Sequence, residues 1–131
     1  MIFSGVILGH LVGDYLLQGE WMAVNKKTRS LEGFLACFIH CSIWSLCVIY
    51  FGEMAWTAET YLLVYVSHAI LDQTYLASGY MKYANIFGHG IRKNDMRNWK
   101  WTKARVLQYA LVDNTFHLLF IWGMMKAGWI C

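Results

Sequence analysis

The sequence contains no proline and few charged residues. Lys, Arg, Asp and Glu make up 15% of the chain, whereas soluble domains carry about 25%. Hydrophobic residues make up 58% and concentrate in four apolar stretches, at about residues 2–19, 31–51, 60–78 and 104–125. Each is close to the ~20 residues that a helix needs to cross a bilayer core. The shortage of charge argues against an ordinary soluble domain, and a soluble bundle of unusually apolar helices remains the alternative.

Two further absences narrow the class of protein. No basic residue precedes the first apolar stretch and no small-residue cleavage site follows it, which argues against a cleaved signal peptide. The four cysteines, Cys37, Cys41, Cys47 and Cys131, include no C-x-x-C pair. Three of them lie on one predicted helix, where cysteines four residues apart pack as small apolar residues. We therefore expect neither a disulfide framework nor a thiolate metal site.

The four stretches predict one all-α domain over residues 1–131, a polytopic four-helix transmembrane bundle. Seven Trp and eight Tyr residues agree with this fold, because these rings favour the membrane–water interface. The sequence has neither an internal repeat nor a low-complexity tract that would divide the domain.

Basic residues divide unevenly between the two ends of such a bundle. Four crossings place the loops at about 20–30 and 79–103 on one side. Ten of the eleven Lys and Arg residues lie in or beside these loops: Lys26, Lys27, Arg29, Lys82, Arg92, Lys93, Arg97, Lys100, Lys103 and Arg105. The other side has only Lys126. Because cytoplasmic loops carry the excess of Lys and Arg, we expect both loops to be cytoplasmic and both termini to lie outside.

The remaining connections agree with this orientation. The segment at 52–59 has Glu53 and Glu59 but no basic residue, and Thr57 is expected to cap the third helix. The basic segment at 88–105 invites a nucleic-acid interpretation, but a helix flank resting on anionic lipid headgroups accounts for the same charges. We therefore predict no nucleic-acid partner, and expect a membrane lipid or a phosphorylated substrate instead.

Three of the eight acidic residues lie inside apolar stretches, and each has a histidine one helical turn away. The pairs are His10-x3-Asp14, His68-x3-Asp72 and Asp113-x3-His117. The fourth histidine in an apolar stretch, His40, lies near the middle of the second one. Since a carboxylate in hydrocarbon costs several kcal/mol, such groups face the bundle interior and mark function. The interior of the bundle is therefore predicted to be lined by His and Asp.

The order within the pairs agrees with the topology. Histidine comes first on the first and third helices, and aspartate comes first on the fourth, which runs the opposite way. All three aspartates then lie on the cytoplasmic side of their histidines, in a layer about 5 Å from the histidine layer. The charge argument used only Lys and Arg, so this agreement is independent of it.

Seven N and O ligands exceed one tetrahedral site and suit two divalent ions. Imidazole with carboxylate fits Zn, Mn or Fe. The predicted metal ligands are therefore His10, Asp14, His40, His68, Asp72, Asp113 and His117. Alternatively, each pair bonds only within its own helix or to a neighbouring one.

Other residues on these helices support the site. Gly5, Gly9 and Gly13 form a stripe that lets helices approach closely, either within the chain or against a second copy in a homo-oligomer. Gln18 lies one turn beyond Asp14, where it either orients substrate or water or only reaches the interface. Two amides lie about 100° away from the ligand face and are weaker candidates: Gln73 and Asn114.

The motifs resemble those of a family of small bacterial and phage membrane proteins, domain of unknown function three-three-zero-seven. Its opening motif, H-x3-D-x3-Q-x2-W-M-x2-N-K, falls on His10, Asp14, Gln18, Trp21, Met22, Asn25 and Lys26. A lone histidine in helix two, then "SHAILDQ" and "VDNTFHLLF", continue the resemblance over nearly the whole chain. The chain departs from the family at Asn114, where glutamine is usual, and at Tyr75 and Leu76, near which the family tends to have a lysine.

The resemblance implies a location in the bacterial inner membrane but no established activity. The family is distantly similar to membrane proteins described as metal-dependent hydrolases, and through them to the H-x3-D/E helical ligands of zinc phospholipase C. This last step is an analogy of fold.

These features predict a membrane-embedded, metal-dependent hydrolase of a phosphoester or lipid phosphate reached from the cytoplasmic side. The catalytic candidates are Asp14, Asp72 and Asp113, one of which serves as base. The substrate-binding candidates are Gln18, Asn25 and Lys26, with Lys27 and Arg29 also placed to hold a phosphate.

Three other functions use the same residues differently. Intramembrane His and Asp also build metal-ion or proton transporters. Histidines on facing helices can bind haem, although the adjacent aspartates argue against it. Finally, the chain could be a non-enzymatic phage or bacterial membrane interaction protein, in which the three aspartates are dispensable.

Overall fold

The computed structural model describes residues 2–83 and 103–130, and in these ranges helices are the only regular secondary structure. Helix α1 continues without a break into a π-helix at Val12–Leu16. The α-helices, in chain order, are α1 (Phe3–Leu11), α2 (Glu20–Asn25), α3 (Leu31–Phe51), α4 (Ala58–Gln73), α5 (Leu76–Tyr83) and α6 (Lys103–Lys126). The all-α class is confirmed for the described residues.

Two of the four predicted helices have nearly the predicted bounds, and two are shorter. Helix α3 matches 31–51, and α6 extends 104–125 by one residue at each end. The first stretch leaves helical structure after Leu16 rather than at residue 19. The third helix ends at Gln73 rather than at residue 78, because Thr74 is extended and its hydroxyl donates to Leu71 O at 3.1 Å.

The predicted cytoplasmic loops also contain helices. Within the predicted loop 20–30, residues Glu20–Asn25 form α2. The predicted loop 79–103 begins inside α5, which continues to Tyr83. The rest of that loop, residues 84–102, lies outside the described residues, as does His89.

Hydroxyl caps fix where the two central helices begin. Ser30 Oγ accepts a hydrogen bond from Gly33 N at 3.0 Å, at the start of α3. Thr57 Oγ1 accepts one from Thr60 N at 3.1 Å, at the start of α4, so the predicted threonine cap is confirmed. Each cap satisfies a backbone N–H that has no partner within the helix.

The glycine stripe packs α1 directly against α3. A Cβ at Gly5 would lie 1.8 Å from Phe51 O, and one at Gly9 would lie 2.6 Å from Cys47 O. A Cβ at Gly13 would lie 2.8 Å from the Trp44 ring. Because the backbones approach this closely, any side chain on the stripe would separate the two helices. Of the two predicted packing arrangements, the structure contains the one in which the glycine stripe packs against another helix of the same chain.

The described part of the molecule has an apolar core and a polar cluster in its interior, and large apolar side chains on its surface. His10, His40, His68 and Asp72 are at most 1% exposed. Large apolar side chains are exposed on several helices, including Leu16 (76%), Leu31 (77%), Phe34 (65%), Tyr50 (66%), Leu107 (64%) and Leu111 (61%). The predicted His- and Asp-lined interior is therefore present.

One described helix, α3, is long and apolar enough to cross a membrane, with a mean hydropathy of 2.0 over its best window. A shorter apolar helix runs over Phe3–Leu16. Length and composition support one membrane span here, and the prediction of four crossings stays a prediction.

Replacing Gly9 by alanine is expected to destabilise the protein by at least about 1–3 kcal/mol, because the new methyl group meets backbone atoms of α3. Those atoms are Cys47 O at 2.6 Å and Val48 Cα at 2.8 Å. The free energy of unfolding in detergent measures the effect. Gly123→Ala in α6 is the matched control, because nothing lies within 4 Å of its Cβ position. Equal stability of the two variants would contradict this packing.

Candidate metal centre

Asp14 lies on the π-helical segment that follows α1. Leu17 N donates to Val12 O at 3.0 Å, which is the five-residue step of a π-helix. Asp14 Oδ2 lies 3.4 Å from His10 Nδ1, and its Oδ1 lies 3.3 Å from His40 Nε2. Single π-helical turns occur most often at functional sites. This turn directs the Asp14 carboxylate towards α3 and α4.

His40 of α3 and the His68–Asp72 pair of α4 meet Asp14 in the interior. The Nε2 atoms of His40 and His68 lie 3.0 Å apart. Asp72 Oδ2 lies 3.2 Å from His40 Nε2 and 3.6 Å from His68 Nε2. His68 Nε2 also lies 4.0 Å from Asp14 Oδ1. Two carboxylates and two imidazoles from three helical segments therefore direct their polar atoms at one point.

The ammonium group of Lys26 borders this point. Its Nζ lies 2.7 Å from Asp72 Oδ2 and 3.1 Å from His40 Nε2. It also donates to Gln18 Oε1 at 3.2 Å. The structure thus places two of the predicted substrate-binding residues, Lys26 and Gln18, beside the cluster. The third, Asn25, donates instead to Trp21 O at 2.9 Å and stays outside it.

His117 of α6 has the hydrogen bonding of a metal ligand. Its Nδ1–H donates to the carbonyl oxygen of Asp113 at 2.8 Å, which leaves the lone pair on Nε2. That Nε2 is buried without a hydrogen-bond partner and lies 3.9 Å from Asp72 Oδ1. Ligating histidines usually donate their other N–H in this way, which fixes the ring and its tautomer. The Asp113 carboxylate lies 3.9 Å from His117 Nδ1.

His10 differs from the other histidines because hydrogen bonds engage both of its ring nitrogens. Trp44 Nε1–H donates to His10 Nδ1 at 2.8 Å. Since Nδ1 then accepts, Nε2 carries the proton and donates to Asn114 Oδ1 at 2.6 Å. The Asn114 amide nitrogen in turn donates to Tyr15 OH. In this arrangement His10 joins α1, α3 and α6, and its role as a metal ligand stays a prediction.

Trp44 is the central residue that sequence reasoning missed. It is 1% exposed, and its ring stacks on His68 with 3.8 Å between centroids and 15° between planes. The signal that could have found it is spacing. Trp44 follows His40 by four residues, the same step that separates each His from its Asp, so it lies on the same face of α3.

The four imidazole rings form a continuous row across the interior. Ring centroids lie 5.6 Å apart for His10 and His117, 4.4 Å for His117 and His68, and 5.0 Å for His68 and His40. The structure therefore brings together one histidine from each of the four predicted long helices. The three aspartates lie against this row at the distances given above.

Among the described residues, three overlapping groups have ligand atoms within 4.8 Å of one another. They are Asp14–His40–His68, Cys41–His68–Asp72 and Asp72–Asp113–His117. Four buried atoms in these groups have no hydrogen-bond partner: Asp14 Oδ1, His68 Nδ1, Asp72 Oδ2, which is ion-paired with Lys26, and His117 Nε2. Buried lone pairs without a partner are costly, and a cation among them would satisfy them. The donor set therefore fits divalent metal ions.

Lys27, the residue after Lys26, contacts α6. Lys27 Nζ donates to Tyr109 OH at 2.7 Å and lies 5.4 Å from the centre of that ring. Burial alone would lower the pKa of Lys27, but the Tyr109 hydroxyl and the carboxylate of Asp113 together raise it above the usual lysine value. Lys27 is therefore cationic at neutral pH.

A cleft of about 560 Å³ runs between α3 and α4. Thr28, Arg29 and Ser30 lie at its polar end. Apolar and aromatic side chains line the rest, including Phe34, Phe38 and Tyr65. Gln73 also lines the cleft and donates to Lys26 O, which joins the cleft wall to the Lys26 loop.

Changing Trp44 to phenylalanine is expected to lower the free energy of unfolding by about 1–3 kcal/mol, because His10 Nδ1 loses its donor in a buried site. The aromatic stacking on His68 is largely kept by the substitution. Trp56→Phe, at a tryptophan that is 64% exposed, is the control. Denaturation of both variants in the same detergent measures the difference, and an unchanged Trp44→Phe stability would refute the assigned hydrogen bond.

Comparison with known proteins identifies the family. The model of the family described as "Protein of unknown function (DUF3307)" matches residues 2–129. No curated protein and no solved structure matches the chain. The match includes all seven predicted metal ligands, from His10 to His117. The chain therefore belongs to the DUF3307 family.

Proposed function

We propose that this protein is a membrane-embedded, metal-dependent hydrolase of a phosphoester, most suitably a lipid phosphate that enters from the cytoplasmic side. The observation that carries the proposal is the set of three overlapping ligand groups, which lie inside a helix bundle whose exterior is apolar. Catalytic metal sites combine His with Asp or Glu and keep a position open for substrate.

The Asp72 carboxylate supports a site for two ions. Its Oδ1 faces His117 Nε2 at 3.9 Å, whereas its Oδ2 faces His40 and His68 at 3.2 Å and 3.6 Å. One aspartate thus has an oxygen directed at each side of the cluster, as in two-metal hydrolases. When bound, such ions supply Lewis-acid polarisation of a phosphoryl oxygen.

The three aspartates differ in exposure, and this suggests separate roles. Their side chains are 14% exposed for Asp14, 2% for Asp72 and 24% for Asp113. The two more buried carboxylates are best suited as ligands because each lies within 4.0 Å of three histidines. Asp113 is the most open to water, so we assign it the role of general base.

The surroundings of Lys26 support a substrate with a phosphate group and an apolar tail. The ammonium group lies at the edge of the ligand cluster and would pair with a phosphate oxygen. The α3–α4 cleft has Arg29 at its polar end and aromatic walls beyond it. A lipid headgroup would lie beside Arg29, at the polar end of the cleft. Its acyl or prenyl chain would lie along Phe34 and Phe38, at the apolar end.

The distribution of polarity supports the membrane location. In a soluble protein the exposed Leu and Phe side chains of α3 and α6 would form large apolar patches. In lipid the same surface is solvated, and the polar interior is shielded. We propose a multi-pass protein of the bacterial inner membrane with both termini outside, in which the loops at 20–30 and 79–103 are cytoplasmic.

A metal-ion or proton conductor is the second candidate function. The observation that favours it is the row of imidazole rings from His10 to His40, whose neighbouring centroids are 4.4–5.6 Å apart. Chains of intramembrane His and Asp carry protons in pumps and transporters. Turnover of a phosphoester in detergent, without any gradient, separates hydrolysis from conduction.

Purified protein that has never met a chelator is expected to contain about two equivalents of Zn, Mn or Fe by mass spectrometry. A His68→Ala/Asp72→Ala variant should lose most of this metal, because each of the three ligand groups contains at least one of these two residues. Glu59→Gln, in the exposed first turn of the same helix, should keep it. Metal-free wild-type protein would remove the basis of the proposal.

Asp113→Asn is expected to lower kcat for a long-chain lipid phosphate by about 10²–10⁴-fold, because it removes the proposed base. Its metal content should stay close to that of the wild type, because Asp113 is assigned as base and the other six candidate ligands are unchanged. The assay follows released phosphate in detergent, again with Glu59→Gln as the control. If wild-type protein holds metal but releases no phosphate, and instead moves protons across vesicle membranes, conduction replaces hydrolysis as the function.

A further inference from the structure

The second ligand group contains a sulfur atom that the spacing of His and Asp did not indicate. Cys41 is on α3, one residue after His40, and is fully buried. Its Sγ lies within 4.8 Å of ligand atoms of both His68 and Asp72. The sequence predicted that the cysteines of this helix pack only as small apolar residues. In the structure Cys41 is buried among core residues, as predicted, and in addition its sulfur lies near the buried His68 and Asp72.

The His68 ring supplies an independent observation. Its side chain is 0% exposed, and its Nδ1 has no hydrogen-bond partner. Trp44 covers one face of the ring, so the ring is fixed by stacking rather than by hydrogen bonds through this nitrogen. His68 therefore has one buried nitrogen without a partner, and one of its ring nitrogens lies within 4.8 Å of the Cys41 sulfur and an Asp72 carboxylate oxygen. A cation would satisfy these lone pairs.

Cys37 supports the sulfur of Cys41 from one turn away. The two Sγ atoms lie 3.7 Å apart, within hydrogen-bonding distance for sulfur, and both side chains are buried. If Cys41 binds metal as a thiolate, it accepts this hydrogen bond, and the Cys37 S–H donates. Hydrogen bonds of this kind orient a ligand from outside the metal's own contacts.

We infer that Cys41 is a metal ligand together with His68 and Asp72, and that this position takes a thiophilic divalent ion of the zinc class rather than Mn or Mg. The inference rests on the proposed metal centre and names its ion. Thiolate selects Zn or another thiophilic ion, whereas a site of carboxylate and imidazole alone is equally suited to Mn or Fe. Three protein ligands leave a fourth tetrahedral position open, which is the arrangement of catalytic zinc.

X-ray absorption at the zinc edge of intact wild-type protein tests the inference without any variant. The expected spectrum contains a Zn–S shell at about 2.3 Å beside N and O ligands at about 2.0–2.1 Å. The same protein, emptied with a chelator and refilled with Co²⁺, is expected to show a sulfur-to-cobalt charge-transfer band in the near ultraviolet.

Cys41→Ser should abolish the charge-transfer band and weaken zinc binding by at least about tenfold. Cys47→Ser is the matched control, because Cys47 lies on the same helix, is partly buried and belongs to none of the three ligand groups. Circular dichroism checks that both variants keep their helices.

The outcomes separate this inference from the proposed function. A sulfur shell and a band that depends on Cys41 support both. Bound metal with only N and O neighbours, and unchanged binding in Cys41→Ser, overturns the inference and leaves the metal centre intact. Wild-type protein that binds neither Zn²⁺ nor Co²⁺ overturns the inference and the metal centre together.

Discussion

The carboxylate of Asp72 places the strongest constraint on this molecule, because a charge that is 2% exposed must be neutralised by its neighbours. Lys26 reaches it from the loop after α2, His40 from α3, and His117 from α6. Each contact joins a different part of the chain to α4. Polar pairing therefore organises this cluster, which lies beside the apolar core of the helix bundle.

Close packing of the helix backbones lets short polar side chains on different helices reach one another. The glycines of α1 bring its backbone against that of α3, so that the short side chain of Asp14 reaches His40 at 3.3 Å. Asp14 lies on the π-helical turn at Val12–Leu16, where the five-residue hydrogen-bond step alters the register of side chains from that of a regular helix. Trp44 of α3 lies between Gly13 and His68. Its contacts hold the π-helical segment and α4 against the cluster.

Residue spacing predicted much of this arrangement, because a helix translates a four-residue step into a shared face. It indicated the all-α class, the bounds of α3 and α6, and the convergence of His40, His68 and Asp72. The π-helical turn and the end of α4 at Gln73 have no comparable signal, since local hydrogen bonds decide them. Asn114 was discounted because it lies beside the main ligand face, and Cys41 because cysteines four residues apart on a helix pack as small apolar residues. In the structure, contacts between helices place both in the interior.

Lys26 also gives the cluster a cation that does not depend on a bound metal ion. Its ammonium group, held 2.7 Å from Asp72 and 3.1 Å from His40, is a cation attached to the chain itself. Small zinc-dependent domains are unfolded without metal because nothing else offsets their clustered ligands. In this protein the Lys26 ammonium group partly neutralises the clustered carboxylates without a metal ion. In the proposed metal-loaded state, a divalent ion would replace the Lys26 ammonium group beside the Asp72 carboxylate, so metal binding would be an exchange of one cation for another.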